Sequence, residues 1–142
     1  MEFVSTNVSK RRLRFSKWLW IPVTLFAITK WHIALPTVNV YYPKEGWREF
    51  RYIWNVQDRI YKGGMTPGGG AVDWGHLFPD DNFFMEFAWW SKIEGRNHCI
   101  SITPKWPTTD IYLDVWGNID MREGSGTHTD RLKECVYDSA KP

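Results

Sequence analysis

The sequence predicts a mainly β chain: a small antiparallel β-sandwich or meander domain behind a single N-terminal transmembrane helix. Three observations predict this. Phe83 to Asp120 breaks into short runs rich in aromatic and β-branched residues, bounded by Gly, Asn, Asp and Pro, which is the composition of strands joined by tight turns. Phe50, Tyr52, Trp54 and Val56 alternate with Glu49, Arg51, Ile53 and Asn55, the period of a half-buried strand. An uncharged apolar run, Trp18 to Thr29, follows directly on a basic cluster.

The charge divides along the chain. Of 142 residues, the first 36 carry Lys10, Arg11, Arg12, Arg14, Lys17 and Lys30 against Glu2, a net of +5. Residues 37–142 carry twelve basic and fifteen acidic side chains, a net of −3. The basic character thus belongs to the N-terminal segment, and the remainder is a poor match for nucleic acid.

A membrane crossing needs about twenty predominantly apolar residues. Residues 18–36 reach that length if Lys30 snorkels to the far interface, with Trp31 in the aromatic belt there and Trp18 and Trp20 in the near one. Basic residues before the run place residues 1–17 in the cytoplasm and residues 37–142 outside it. The alternatives are a cleaved signal peptide, for which no small-x-small cleavage site follows, and a soluble helix. The expected organisation is a basic cytoplasmic segment (1–17), a transmembrane signal anchor (18–36) and a β domain outside the cytoplasm (37–142).

Within that domain, Thr37 to Tyr42 reads as a first strand and Trp47 to Val56 as a second, with Gln57 to Lys62 either extending it or forming its own. Phe83 to Trp90, His98 to Ile102 and Asp110 to Trp116 read as three successive strands of a meander. Trp89 and Trp90, being adjacent, should point to opposite faces. Gly63 to Asn82, with six glycines and two prolines, reads as one long loop. Asn118 to Met121 reads as a short strand, and Asp130 to Tyr137 as a helical turn or an edge strand. Cys99 and Cys135 are the two cysteines, both in the part expected outside the cytoplasm, where a disulfide is the expected state. Closing that loop would contribute about 3–4 kcal/mol; whether the pair forms within one chain or across two stays open.

No enzyme motif emerges. The Gly63–Gly70 stretch lacks the Gly-Lys-Ser/Thr ending of a phosphate cradle. His76, His98 and His128, with Asp73, Asp80 and Asp81, lack metal-ligand spacing, and Asp114 to Asp120 lacks the pattern of a calcium loop, reading instead as a hairpin turn. No catalytic residue, metal or cofactor is expected. The expected contacts are aromatic and loop residues able to act as binding anchors: Met65, Trp74, His76, Phe78, Trp106 and Trp116.

Arg96-Asn97-His98-Cys99-Ile100-Ser101-Ile102-Thr103-Pro104-Lys105-Trp106-Pro107, followed by Ile111-Tyr112-Leu113-Asp114 and Gly117-Asn118-Ile119-Asp120, resembles small membrane-anchored periplasmic proteins of Gram-negative bacteria. Some of these are immunity proteins of type VI secretion effectors. The resemblance spans the C-terminal third and brings no residue of known role. It implies that the anchor (18–36) lies in the inner membrane, that the β domain (37–142) is periplasmic, and that the partner is a protein, a toxin or effector. An envelope module binding glycan or peptidoglycan through its aromatics is the alternative, and a hydrolase is the third class.

Overall fold

The structure, a computed structural model, describes residues 17–135. Residues 1–16, which hold most of the expected basic segment, and residues 136–142 lie outside the described residues, as do the side chains of residues 17 and 31–34. The chain divides between His32 and Ile33 into two units.

In the first unit a 3-10 turn, Lys17–Leu19, leads into α1 (Trp20–Ala34). Pro22 is tolerated because it falls in the first turn, where its missing N–H leaves no hydrogen bond broken. The fifteen residues of α1 span about 22 Å. Among the described residues, no helix is long and apolar enough to cross a membrane. Every side chain from Trp18 to Lys30 is exposed. The Thr24 hydroxyl donates to the Trp20 carbonyl at 2.7 Å and the Thr29 hydroxyl to the Leu25 carbonyl at 2.9 Å.

The second unit is mainly β, as expected. Its strands are β1 (Thr37–Tyr41), β2 (Phe50–Val56), β3 (Arg59–Met65), β4 (Gly70–Trp74), β5 (Met85–Trp90), β6 (Asn97–Ile102), β7 (Thr108–Tyr112) and β8 (Leu132–Lys133). They form two sheets, one ordered β4-β1-β7 and the other β3-β2-β5-β6-β8. The inner faces of both supply one core: Val38, Val40, Ala71 and Ile111 from the smaller sheet, and Phe50, Tyr52, Trp54, Val56, Met65, Met85, Phe87 and Trp89 from the larger. The alternation read in β2 holds, since its four large residues all face inward. Trp89 is buried, its Nε1–H donating to the Gly117 carbonyl at 2.7 Å, while Trp90 on the opposite face is only partly covered.

The meander expectation fails at its third strand. β5 and β6 pair antiparallel, but β7 leaves them and lies parallel to β1, in register Thr37↔Thr108 to Tyr41↔Tyr112. Pro104 and Pro107 cannot extend a ladder, so the Thr103–Pro107 bend carries the chain away from β6. There Thr109 and Ile111 bury beside Val38 and Val40. β8 takes the place beside β6 instead. Cys99 and Cys135 form a disulfide, with Cα atoms 5.8 Å apart, tying the segment after β8 to β6.

The long Gly63–Asn82 loop also fails. β3 runs through Gly63 and Gly64, and β4 begins at Gly70. Both strands need glycine for close approach. A Cβ on Gly63 would fall 2.4 Å from the Tyr52 ring, and one on Gly70 only 2.3 Å from the Val40 carbonyl oxygen. What remains is the tight turn Thr66–Gly69, with Gly68 at φ +77, and a shorter loop, Gly75 to Phe84. Asn118 to Met121 forms no strand beyond the isolated Leu113↔Ile119 bridge. The C-terminal stretch is both a turn and an edge strand: Thr129–Arg131 is a 3-10 turn and β8 follows.

Gly70→Ala should destabilise the chain by about 1–3 kcal/mol through overpacking. Gly64→Ala, whose Cβ would meet the Phe50 carbonyl at an ordinary 3.8 Å, should be neutral or stabilise by up to about 1 kcal/mol. Denaturant midpoints of the two variants check the pair.

Candidate functional site

The smaller sheet presents its second face to solvent. Because side chains alternate, burying Val38, Val40, Ala71, Asp73, Thr109 and Ile111 turns Thr37, Asn39, Tyr41, Val72, Trp74, Thr108, Asp110 and Tyr112 outward. Register arranges these in three rows: Trp74, Thr37 and Thr108; Val72, Asn39 and Asp110; Gly70, Tyr41 and Tyr112. Tyr41 and Tyr112 stack, with centroids 4.7 Å apart and planes 18° from parallel. Trp74 is 46% exposed and Val72 51%. The tyrosine row and the Trp74 row are four residues apart on β1, about 13 Å along the strand.

Polar contacts fix the middle of this face. The Asn39 amide donates to Asp110 Oδ1 at 2.9 Å, and the Tyr41 hydroxyl approaches the same oxygen at 3.4 Å. Partial burial first, and then the Asp110 carboxylate, push the Tyr41 phenol above its usual range, so it remains a protonated donor at neutral pH. The outer edge of β7 is held by the loop that follows it. Asp110 N–H donates to His128 Nδ1 at 2.8 Å, His128 N–H to the Asp110 carbonyl at 2.9 Å, and Tyr112 N–H to the Thr127 hydroxyl at 3.0 Å. Arg122 Nε and Nη2 grip the Asp120 carboxylate at 2.8 and 2.6 Å, and that hydrogen bonding holds its pKa down at about 2. On the β4 side, the buried Asp73 accepts from Arg59 Nη2 at 2.7 Å and from Trp74 N–H at 2.8 Å, and the Trp74 carbonyl also meets Arg59 Nη2. The strand that presents Trp74 is therefore anchored beneath it.

The expected contact residues do not form one patch. Trp74 and Trp106 share one end of the smaller sheet: Thr37 pairs with Trp74 while its N–H donates to the Pro107 carbonyl at 3.1 Å. Phe78, 88% exposed, and His76 follow on the loop after β4. Trp116 lies elsewhere, in the Asp114–Gly117 turn, edge-on to Trp47 at 5.9 Å. Met65 is a correction: it is 1% exposed, because it lies opposite Phe50 on the inner face of β3, and is closed to a partner. Tyr41, Val72, Asn39, Asp110 and Tyr112 were missed. Their alternation with Val38, Val40, Thr109 and Ile111 was visible, but the pairing that lays them side by side was not.

His76, His98 and His128 stand apart from one another. His76 Nε2 faces Asp58 at 3.4 Å, His128 caps β7, and His98 stacks on Trp89 with centroids 4.9 Å apart. Among the described residues no three His, Cys, Asp or Glu side chains gather as a metal site. Comparison with protein-family models, curated proteins and solved structures finds no match.

Burial lowers the His98 pKa, Arg96 lowers it further, and Asp114 opposes them. The folded state therefore favours neutral imidazole, and the stability this confers is full above the unfolded value near 6.5 and lost as pH falls through the lower folded value. His98→Phe keeps the stack on Trp89 and removes the titration. Between neutral pH and pH about 5, its melting temperature should fall less than that of the parent chain.

Proposed function

We propose that this chain is a membrane-anchored binding protein of the bacterial envelope: an inner-membrane helix within residues 18–36, and a periplasmic β domain whose smaller sheet occludes a protein partner. A secreted toxin is the partner class, which makes the chain an immunity protein. The observation that carries the binding role is the outer face of the β4-β1-β7 sheet, where Tyr41, Tyr112, Val72 and Trp74 are all exposed on strands rather than on loops. Rigid aromatics of this kind bury large area at little entropic penalty and make binding hot spots. The anchor reading is supported by the apolar side chains from Trp20 to Ile28, which are exposed on every side of α1, with both threonine hydroxyls satisfied inside the helix, as a lipid environment requires.

A glycan reading draws on one further observation. The Asn39–Asp110 pair lies between the tyrosine stack and Trp74, so hydrogen-bonding groups are flanked by aromatic planes. Saturable quenching of tryptophan fluorescence by cell-wall fragments would favour that reading over a protein partner.

For the protein-partner reading, Trp74→Ala and Tyr112→Ala should each weaken capture of a co-purifying periplasmic protein by roughly tenfold or more. The fold should survive both, since neither side chain is in the core. Affinity within about twofold of the parent for both variants would remove the sheet face from the interface. A phosphatase fused after Pro142 should be active only if the C-terminal domain is exported.

A further inference from the structure

We propose a second binding site, for a carboxylate flanked by an apolar group, in the cleft around Arg48. The alternation that turns Phe50, Tyr52, Trp54 and Val56 inward continues back to position 48, where it places an arginine on the core side. Arg48 is 8% exposed. Its guanidinium lies over the Trp47 ring, 3.9 Å from the centroid, and Nη1 faces the Glu94 carboxylate as an ion pair. Nε, also buried, has no hydrogen-bond acceptor. A buried charged donor without an acceptor is unfavourable, and a guanidinium is built to hold a carboxylate by two parallel hydrogen bonds.

The surroundings suit such a ligand. A cleft of about 560 Å³ opens here, lined by Arg51 and Lys92 as further cations, Glu49 as an anion, Ser91 as a buried hydroxyl, and Trp47 and Ile93 as exposed apolar surface. Arg48, Arg51 and Lys92 outnumber Glu49 and the paired Glu94 here, in a domain that is acidic overall. Glu94 comes from the turn between β5 and β6, and its side chain is about one-third exposed (35%). It holds the place of the ligand's carboxylate and can swing away on that turn. An incoming carboxylate then takes both Nε and a terminal nitrogen, while its apolar neighbour covers Trp47 and Ile93. The chain terminus of a peptide has this chemistry; an acidic side chain has the carboxylate but not the adjacent apolar group.

The test uses the full chain in detergent, with the Arg48 Nε–H resonance as the reporter, assigned by its loss in Arg48→Lys. N-acetyl-leucine should shift it saturably, N-acetyl-leucine amide should not, and the α-amide of N-acetyl-aspartate should bind more weakly than N-acetyl-leucine. Glu94→Gln removes the internal competitor and should tighten N-acetyl-leucine binding by roughly tenfold. Arg48→Lys keeps the charge but loses the fork and should weaken it by a similar factor, followed through the backbone resonances of Trp47 and Ile93. An equal response to the amide, no saturable shift, or unchanged affinity in Glu94→Gln would overturn the site. Preference for the aspartate derivative would overturn its assignment to a chain terminus.

Discussion

The placement of β1 is the constraint on which the domain depends. It is the middle strand of the smaller sheet, antiparallel to β4 on one side and parallel to β7 on the other. A parallel neighbour cannot come from a hairpin, so the chain must travel away from β1 and return in the same direction. On that path it builds β2, β3, β5 and β6 of the larger sheet, and β4 as the other neighbour of β1. Once Val38 and Val40 are committed to the core, Thr37, Asn39 and Tyr41 must face out, and register with β4 and β7 adds Val72, Trp74, Asp110 and Tyr112 beside them. The aromatic face is thus a geometric consequence of the same burial that folds the domain. Arg59 and Asp73 on one flank, and His128 and Thr127 on the other, close the edges of a three-stranded sheet that would otherwise invite pairing.

Much of this was legible one strand at a time. β1, β2, β5 and β6 announce themselves by alternation or by aromatic and β-branched runs, and an even pair of cysteines in a region expected to be exported was enough to anticipate the bond between Cys99 and Cys135. What could not be read is long-range. Gly63 and Gly70 resemble loop residues because glycine is poor in strands; their reason for being glycine is the Tyr52 ring and the Val40 carbonyl, neighbours that exist only after the sheets assemble. Met65 passed for a loop residue on the same ground, though it faces Phe50 across a ladder. Asp110 to Tyr112 was recognised as strand, yet nothing local says that its partner is β1, seventy-one residues before Asp110 when counted to Asn39.

The candidate site shares that mixture. Trp74 could be singled out as an aromatic near turns, but its neighbours across the ladder could not. Arg48 escaped notice because a charged residue beside Glu49 and Arg51 reads as solvated surface; only the inward phase of β2, extended by two residues, marks it as unusual. The domain therefore carries two chemically distinct surfaces, an aromatic sheet face and a cleft beside Trp47 built around a buried arginine. The first suits a broad contact in which desolvated aromatics supply most of the affinity. The second suits a single oriented charge.

The most direct test of the sheet-face account is site-specific photocrosslinking in living cells, with a photoreactive side chain placed in turn at positions 72, 112 and 60. Val72 and Tyr112 lie on the proposed face, and Ile60, 67% exposed, lies on the outer side of the larger sheet. The account predicts that positions 72 and 112 capture the same partner and position 60 does not. Capture at position 60 alone, equal capture at all three, or none at 72 and 112 would contradict it.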